Sequence, residues 1–231
     1  MLAGCGEKKP AHAKLPAPPP SIPATTPVPS PEPEPEPAEP EISVPPDAKP
    51  LYTETGIASW YGPPYHNRLA SNGQIYDMHA MTAAHRTLPL NSIVRVTNLR
   101  TGRSTLVRIT DRGPFIEGRI LDLSLAAAKA IDVWRAGLAP VKLEVLQSPA
   151  SLERGGRWCV QIGAFQDQES ADELRDHLAR RYQTAKVLEF PSPVGDWWVR
   201  VRVADDDRRR AEEIARDNHV DNVSVFLVRL D

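Results

Sequence analysis

The chain has 231 residues, 24 of them proline, with 41% apolar residues, 25% charged residues and a formal net charge of −2. It lacks the roughly 18 consecutive apolar residues that a transmembrane helix needs, and its near-neutral balance argues against a general nucleic-acid binder. Sixteen of the prolines fall between Pro10 and Pro50, so about 180 residues of ordinary globular composition remain, enough for one large domain or two small ones.

Residues 1–50 carry 4 Lys/Arg against 7 Asp/Glu, residues 51–150 carry 11 against 7, and residues 151–231 carry 13 against 16. The central segment is mildly basic, which is weak support for an anionic polymer as partner. Near the start, Leu2-Ala3-Gly4-Cys5 resembles the bacterial lipobox, in which signal cleavage leaves an acylated cysteine. Met1 precedes it directly, without the usual basic and apolar segments. The match therefore implies a start upstream of Met1 or a four-residue coincidence; the expectation taken is a lipoprotein acylated at Cys5, with residues 1–9 as its terminal segment. Residues 10–50 include Pro18-Pro19-Pro20 and Pro31-Glu32-Pro33-Glu34-Pro35-Glu36-Pro37. Fixed φ, missing donors and repelling glutamates predict a disordered, extended tether of about 3.1 Å per residue.

Short β-prone runs begin after Thr55: 56–61, 93–97 and 105–109, the last two joined by the polar turn Asn98-Leu99-Arg100-Thr101-Gly102-Arg103 as a hairpin. Asp122-Leu123-Ser124 caps a short helix over 125–131, and Val141-Lys142-Leu143-Glu144-Val145 alternates as a closing strand. Many short strands with one short helix predict a small closed barrel over residues 51–147.

Four ordered motifs make this segment specific: Gly56-Ile57-Ala58-Ser59-Trp60-Tyr61-Gly62, Thr82-Ala83-Ala84-His85-Arg86-Thr87-Leu88-Pro89, Val94-Arg95-Val96-Thr97-Asn98 and Ile109-Thr110-Asp111-Arg112-Gly113-Pro114-Phe115. They resemble the double-psi β-barrel of the rare lipoprotein A family, septal lytic transglycosylases of the bacterial envelope. The resemblance implies cleavage of peptidoglycan glycan between N-acetylmuramic acid and N-acetylglucosamine, leaving a 1,6-anhydro end. Such an enzyme uses no water, so one carboxyl group serves as acid and then base, and the second carboxylate of a hydrolase is not obligatory. Asp111 matches the family's acid/base aspartate. If residues 110–112 are extended, Arg112 points to the opposite face and does not pin Asp111. His85 matches the active-site histidine and is expected to orient Asp111 or bind a sugar hydroxyl, while Trp60 and Tyr61 are expected to bind substrate. Where the family usually has glutamate, this chain has Gln74, which neither donates an acidic proton nor supplies charge. Gln74 is expected to contact sugar; if that position stabilises oxocarbenium charge, the loss is on the order of a hundredfold in rate. Two readings follow: a transglycosylase, or a non-catalytic peptidoglycan-binding division protein with an attenuated barrel.

Residues 148–156 read as a linker and 157–231 as a second domain. Strands over 158–165, 185–190, 197–203 and 223–228, with helices over 170–182 and 208–218, give the order β-α-β-β-α-β. That order predicts an α+β fold with an open antiparallel sheet and both helices on one side. Val160-Gln161-Ile162-Gly163-Ala164-Phe165 and Val199-Arg200-Val201-Arg202-Val203 resemble the strand motifs of the SPOR domain, which binds glycan strands stripped of stem peptides at the division septum. The Gly-Pro usual after the second motif is replaced by Ala204-Asp205, which predicts a reshaped turn. Alternation puts Gln161 with Phe165, and Trp198 with Arg200 and Arg202, on the helix-free side as sugar-binding groups, with Trp197 toward the helices.

Aromatic RNA-binding signatures are absent, and Asp205-Asp206-Asp207 followed by Arg208-Arg209-Arg210 reads as a helix start rather than a basic patch. Cys5 and Cys159 are the only cysteines and Cys159 reads as a small strand residue, so no zinc site is expected; no spacing of His66, His79 and His85 demands a metal, and no cofactor is implied. The expected setting is the periplasmic side of the outer membrane, held by a lipid anchor and enriched at the septum. Denuded glycan strands are the expected partner, nucleic acid is not one, and divisome partners stay unidentified.

Overall fold

A computed structural model describes residues 42, 44–45, 47–189, 195–204, 207–218 and 223–231. Cys5, the proline tract up to Pro40 and the substituted turn at Asp205 lie outside the described residues. Strands β1 (Tyr52–Trp60), β2 (Thr82–Ala84), β3 (Ile93–Asn98), β4 (Ser104–Asp111), β5 (Arg119–Leu123) and β6 (Ala139–Gln147) close into a barrel in the order β1-β5-β2-β4-β3-β6. Two pairs, β1 with β5 and β2 with β4, are parallel. The expected hairpin is β3 with β4; Gly102 at φ +73° supplies the left-handed residue of its turn. Alternate residues of these strands, among them Val94, Val96, Val107, Ile109, Leu121 and Leu143, fill the interior. Helix α1 (Leu125–Ala130) starts at Ser124, whose hydroxyl accepts from the Ala127 N–H at 3.2 Å and donates to the Ala80 carbonyl at 2.7 Å.

Strands β7 (Trp158–Phe165), β8 (Lys186–Glu189), β9 (Trp197–Arg202) and β10 (Ser224–Arg229) form a four-stranded sheet in the order β10-β7-β9-β8. Every pair in it is antiparallel. Helices α2 (Gln168–Ala179) and α3 (Arg208–Asp217) begin at the carboxylate caps Asp167 and Asp207. Both helices cover one face, where Ala171, Leu178, Ala211 and Ile214 pack with Val160, Ile162, Val199 and Val201. The sheet ends with Arg229, buried to 1% exposure. Its guanidinium lies over the Trp158 ring and is held by both carboxylate oxygens of Asp231 and the Ser151 carbonyl. A Cβ at Gly156 (φ +88°) would come within 2.6 Å of that guanidinium, so glycine is required there.

One expected alternation fails. The pairing of β7 with β9 skips from Gly163 opposite Trp198 to Phe165 opposite Trp197, leaving Ala164 as an extra residue. That bulge reverses the parity of the strand end. Phe165 therefore packs with the helix-side core and not beside Gln161.

The helix-free face does not look into solvent. Cys159, Trp198, Phe226 and Val228 are buried there together with Phe115 of the barrel. The Phe115 ring lies 5.6 Å from Trp198 and 5.8 Å from Phe226 by centroid, and the Arg86 guanidinium sits 5.4 Å from the Phe226 centroid. Polar ties flank this apolar patch: Arg229 N–H to the Arg86 carbonyl, Leu90 N–H and Arg112 Nη2 to the Asp231 main-chain oxygen, and Ser224 Oγ to Glu117. Full burial of a large apolar side chain contributes on the order of 2 kcal/mol, so the aromatic cluster is a substantial part of the docking.

Candidate active site

Asp111 ends β4, and its carboxylate borders an open cleft of about 600 Å³. Three donors converge on a single oxygen: Oδ1 accepts from Ser71 N–H at 3.0 Å, Ser71 Oγ at 2.5 Å and its neighbour Arg112 N–H at 2.8 Å. Among the described residues Oδ2 has no hydrogen-bond donor, so one carboxylate oxygen is fixed and the other is available to a ligand. The Arg112 side chain leaves on the opposite side of the strand, as alternation predicts. It donates to the carbonyls of His85 and Leu88 and to Asp231. Burial pulls this guanidinium down to about 10, which still leaves it charged near neutral pH.

Aromatic side chains line the same cleft. Tyr61 stacks on Tyr76 at 4.2 Å between centroids and meets Tyr65 edge-on at 6.0 Å. The Tyr76 hydroxyl donates to the Tyr61 carbonyl at 2.8 Å, which fixes the stack. Burial, with Asp111 nearby, holds the Tyr61 phenol well above its ordinary value, so it stays neutral. Trp60 lines the same cleft. Deeper in the wall, Asp122 accepts from Ser59 Oγ and pairs with Arg119 at 3.3 Å; burial raises its carboxyl.

His85 lies elsewhere. The residue is 3% exposed and does not line the cleft. Both Thr87 N–H and Leu88 N–H donate to Nδ1 at 3.1 Å, which leaves the proton on Nε2, facing Glu54 Oε2 at 3.2 Å. Burial pushes the imidazole down from its ordinary 6.5 against the pull of Glu54, so it is neutral. Burial also opposes ionisation of Glu54, but the hydrogen bond from His85 and the charge of Arg86 win, and its carboxyl is lowered. The expectation that His85 orients the Asp111 carboxyl or touches sugar is not met by this placement. Only its backbone connects, His85 N–H donating to the Asp111 carbonyl at 3.1 Å.

Gln74 is likewise outside the cleft. Its Oε1 accepts from Asn72 Nδ2, and it borders a separate recess of about 10 Å³ with Asp77. Its loop reaches Asp111 through Ser71, a residue that no periodicity or motif marks, as none marks Glu54 or Arg119; Asp122 reads from sequence only as part of a helix cap, whereas the cap is Ser124 and Asp122 joins Ser59 and Arg119.

On the second sheet, Trp198 and Gln161 are each 0% exposed, on the side docked to the barrel. Trp197 is on the helix side, as alternation predicts. Arg200 donates from Nη2 to Gln161 Oε1 at 2.7 Å and lines the Asp111 cleft. Arg202, next on the same strand, is exposed. An open sugar-binding surface built from Gln161, Phe165, Trp198, Arg200 and Arg202 is therefore not what the structure contains: two are covered, one faces the helices and Arg200 joins the barrel's cleft. Cys159 is buried, and its thiol is pushed up to about 11 by burial, which makes it unreactive. Among the described residues no group of three potential metal ligands occurs.

Residues 53–143 match the lytic transglycolase family and residues 155–219 match the SPOR domain family. An endolytic peptidoglycan transglycosylase RlpA of Vibrio cholerae is 45% identical over 145 residues, 60% of this chain and 55% of that protein. The protein of the same name from Campylobacter jejuni is 42% identical over 159 residues, 58% of this chain and 56% of its own length. The chain thus spans about half the length of these curated relatives. A solved structure of an expansin from Clavibacter michiganensis is similar at 17% identity and a TM-score of 0.36, covering 67% of this chain and 81% of that one. Fold, motifs and matches define a double-psi barrel of the lytic transglycosylase type joined to a SPOR module. Its two modules are similar in sequence and order to those of the rare lipoprotein A proteins named above.

Proposed function

We propose that this chain is a peptidoglycan lytic transglycosylase that cleaves stem-peptide-free glycan strands at the division septum and leaves 1,6-anhydromuramoyl ends. The observation that carries this reading is the Asp111 carboxylate, with Oδ1 held by Ser71 and Arg112 and Oδ2 open to an aromatic-walled cleft. Protonated at Oδ2, Asp111 donates to the glycosidic oxygen as the bond to the muramoyl anomeric carbon breaks. The same oxygen then accepts the proton of the muramoyl C6 hydroxyl as that hydroxyl closes on the anomeric carbon. Tyr61 and Trp60 offer the apolar faces that hold sugar rings in register. The C-terminal module adds Arg200 to the cleft that meets the polymer, and acylation of Cys5 anchors the protein to the outer membrane. Replacing Cys5 by serine is expected to release the protein from the membrane fraction; unchanged retention there overturns the anchor.

The test is mass spectrometry of products from purified denuded strands: anhydro-ended fragments support the reading, and strand binding without fragments favours the non-catalytic alternative. Because Gln74 stands apart from the cleft, Gln74→Glu is expected to change kcat/KM by less than about tenfold, well below the roughly hundredfold expected of a group stabilising oxocarbenium charge. A hundredfold gain would restore position 74 to the chemistry.

A further inference from the structure

The Asp111 cleft is lined by both modules, since Arg200 of β9 stands in its wall beside barrel residues. The half-buried cations lining it are already committed: Arg112 spends three N–H bonds on main-chain oxygens and Arg119 pairs with Asp122, while Arg68 is exposed over the Tyr65 ring at 5.9 Å, where water screens its charge. Arg200 differs: its one hydrogen bond among the described residues runs from Nη2 to the neutral amide oxygen of Gln161, and the buried Nε has no partner. Gln161 is itself fully buried, so it presets the guanidinium without neutralising it, and Nη1 has no acceptor among the described residues. A preset, unneutralised guanidinium in a substrate cleft is a receptor for a carboxylate.

The geometry points to Arg200 as a substrate-specificity residue of the barrel's own cleft, receiving the free lactyl carboxylate of a muramoyl unit. This deepens the transglycosylase reading and rests on it. A muramoyl unit that bears a stem peptide has that carboxyl tied up as a neutral amide; removing the peptide restores the anion. A cleft with Arg200 in its wall therefore selects stripped strands at the point of cleavage itself. The docked arrangement is then the working one, because it brings Arg200 into the same cleft as Asp111.

The experiment compares denuded strands with the same strands after carbodiimide capping of the lactyl carboxylates as methylamides, and with peptide-bearing strands. Wild type is expected to show at least tenfold higher kcat/KM on the free-carboxylate strand, carried mainly by KM. Arg200→Gln is expected to lower that preference to near unity by weakening the free strand only. Binding of the same strands to Asp111→Asn and to Asp111→Asn/Arg200→Gln gives the same comparison without turnover. If wild type cleaves nothing, the transglycosylase reading fails, and the binding ratio still decides the role of Arg200. A third arm joins the modules by a bis-maleimide between Glu117→Cys and Ser224→Cys, in a Cys5→Ser background; Cys159 is buried and unreactive. The linked protein is expected to keep strand binding and carboxylate preference. Loss of binding on linking, or a preference that survives Arg200→Gln, overturns the inference.

Discussion

Asp111→Asn is expected to lower kcat/KM on denuded strands by about a thousandfold, roughly 4 kcal/mol of transition-state stabilisation, while the protein stays folded. Asparagine keeps the shape and one acceptor oxygen, so the bonds from Ser71 and Arg112 to position 111 survive. It cannot deliver a proton to the leaving oxygen or accept one from the C6 hydroxyl. KM should move little, because Trp60, Tyr61 and the other cleft walls are untouched. A purified Asp111→Asn protein with an unchanged far-ultraviolet spectrum and residual activity within tenfold of wild type would contradict the acid/base role.

The second large effect is on stability, and it separates His85 from the chemistry. His85→Ala removes an acceptor shared by two backbone N–H groups and leaves a hole beside Glu54. The expected loss is about 3 kcal/mol of unfolding free energy, measured by denaturant titration. A pH signature accompanies it. The folded value of His85 lies below its ordinary 6.5, so the unfolded chain binds the proton first. The contribution of the neutral ring is complete above 6.5 and is lost as pH falls through the lowered folded value. Glu54, Arg86 and Arg112 all bear on that titration, the carboxylate favouring the proton and the two guanidiniums opposing it. Wild type is therefore expected to lose stability more steeply than His85→Ala on acidification in this window. Parallel pH profiles for the two proteins would contradict the buried neutral assignment.

Much of the architecture is legible in the residues themselves. The hairpin of β3 and β4 follows from alternation around a glycine turn, and the second sheet follows from its strand and helix order. Two barrel strands are not legible. Thr82–Ala84 is too short to show a period, and Arg119–Leu123 has a charged and a capping neighbour that read as a helix start. Both are defined by non-local partners, the parallel pairings with β4 and β1. Phe165 shows the limit of period-two reasoning, since one bulged residue reverses the face of everything after it.

The site divides along the same line. Asp111 was legible from its motif, and the opposite direction of Arg112 from alternation. The ring of His85 was not, because its direction is set by two N–H groups of its own turn capturing Nδ1, a local geometry that residue identity does not encode. The covering of Gln161 and Trp198 was not legible either. It depends on Phe115, Arg86 and Arg112 meeting a sheet that begins more than forty residues later in the chain, and no pattern within either module signals that meeting.

The central claim is cleavage by an internal hydroxyl at the Asp111 cleft, without water as nucleophile. Running the reaction on purified denuded strands in heavy-oxygen water, with mass spectrometry of the new ends, tests it most directly. The account predicts anhydro-ended fragments with no heavy oxygen incorporated and none formed by Asp111→Asn. Reducing ends that carry the heavy oxygen, or anhydro ends that persist in Asp111→Asn, would contradict it.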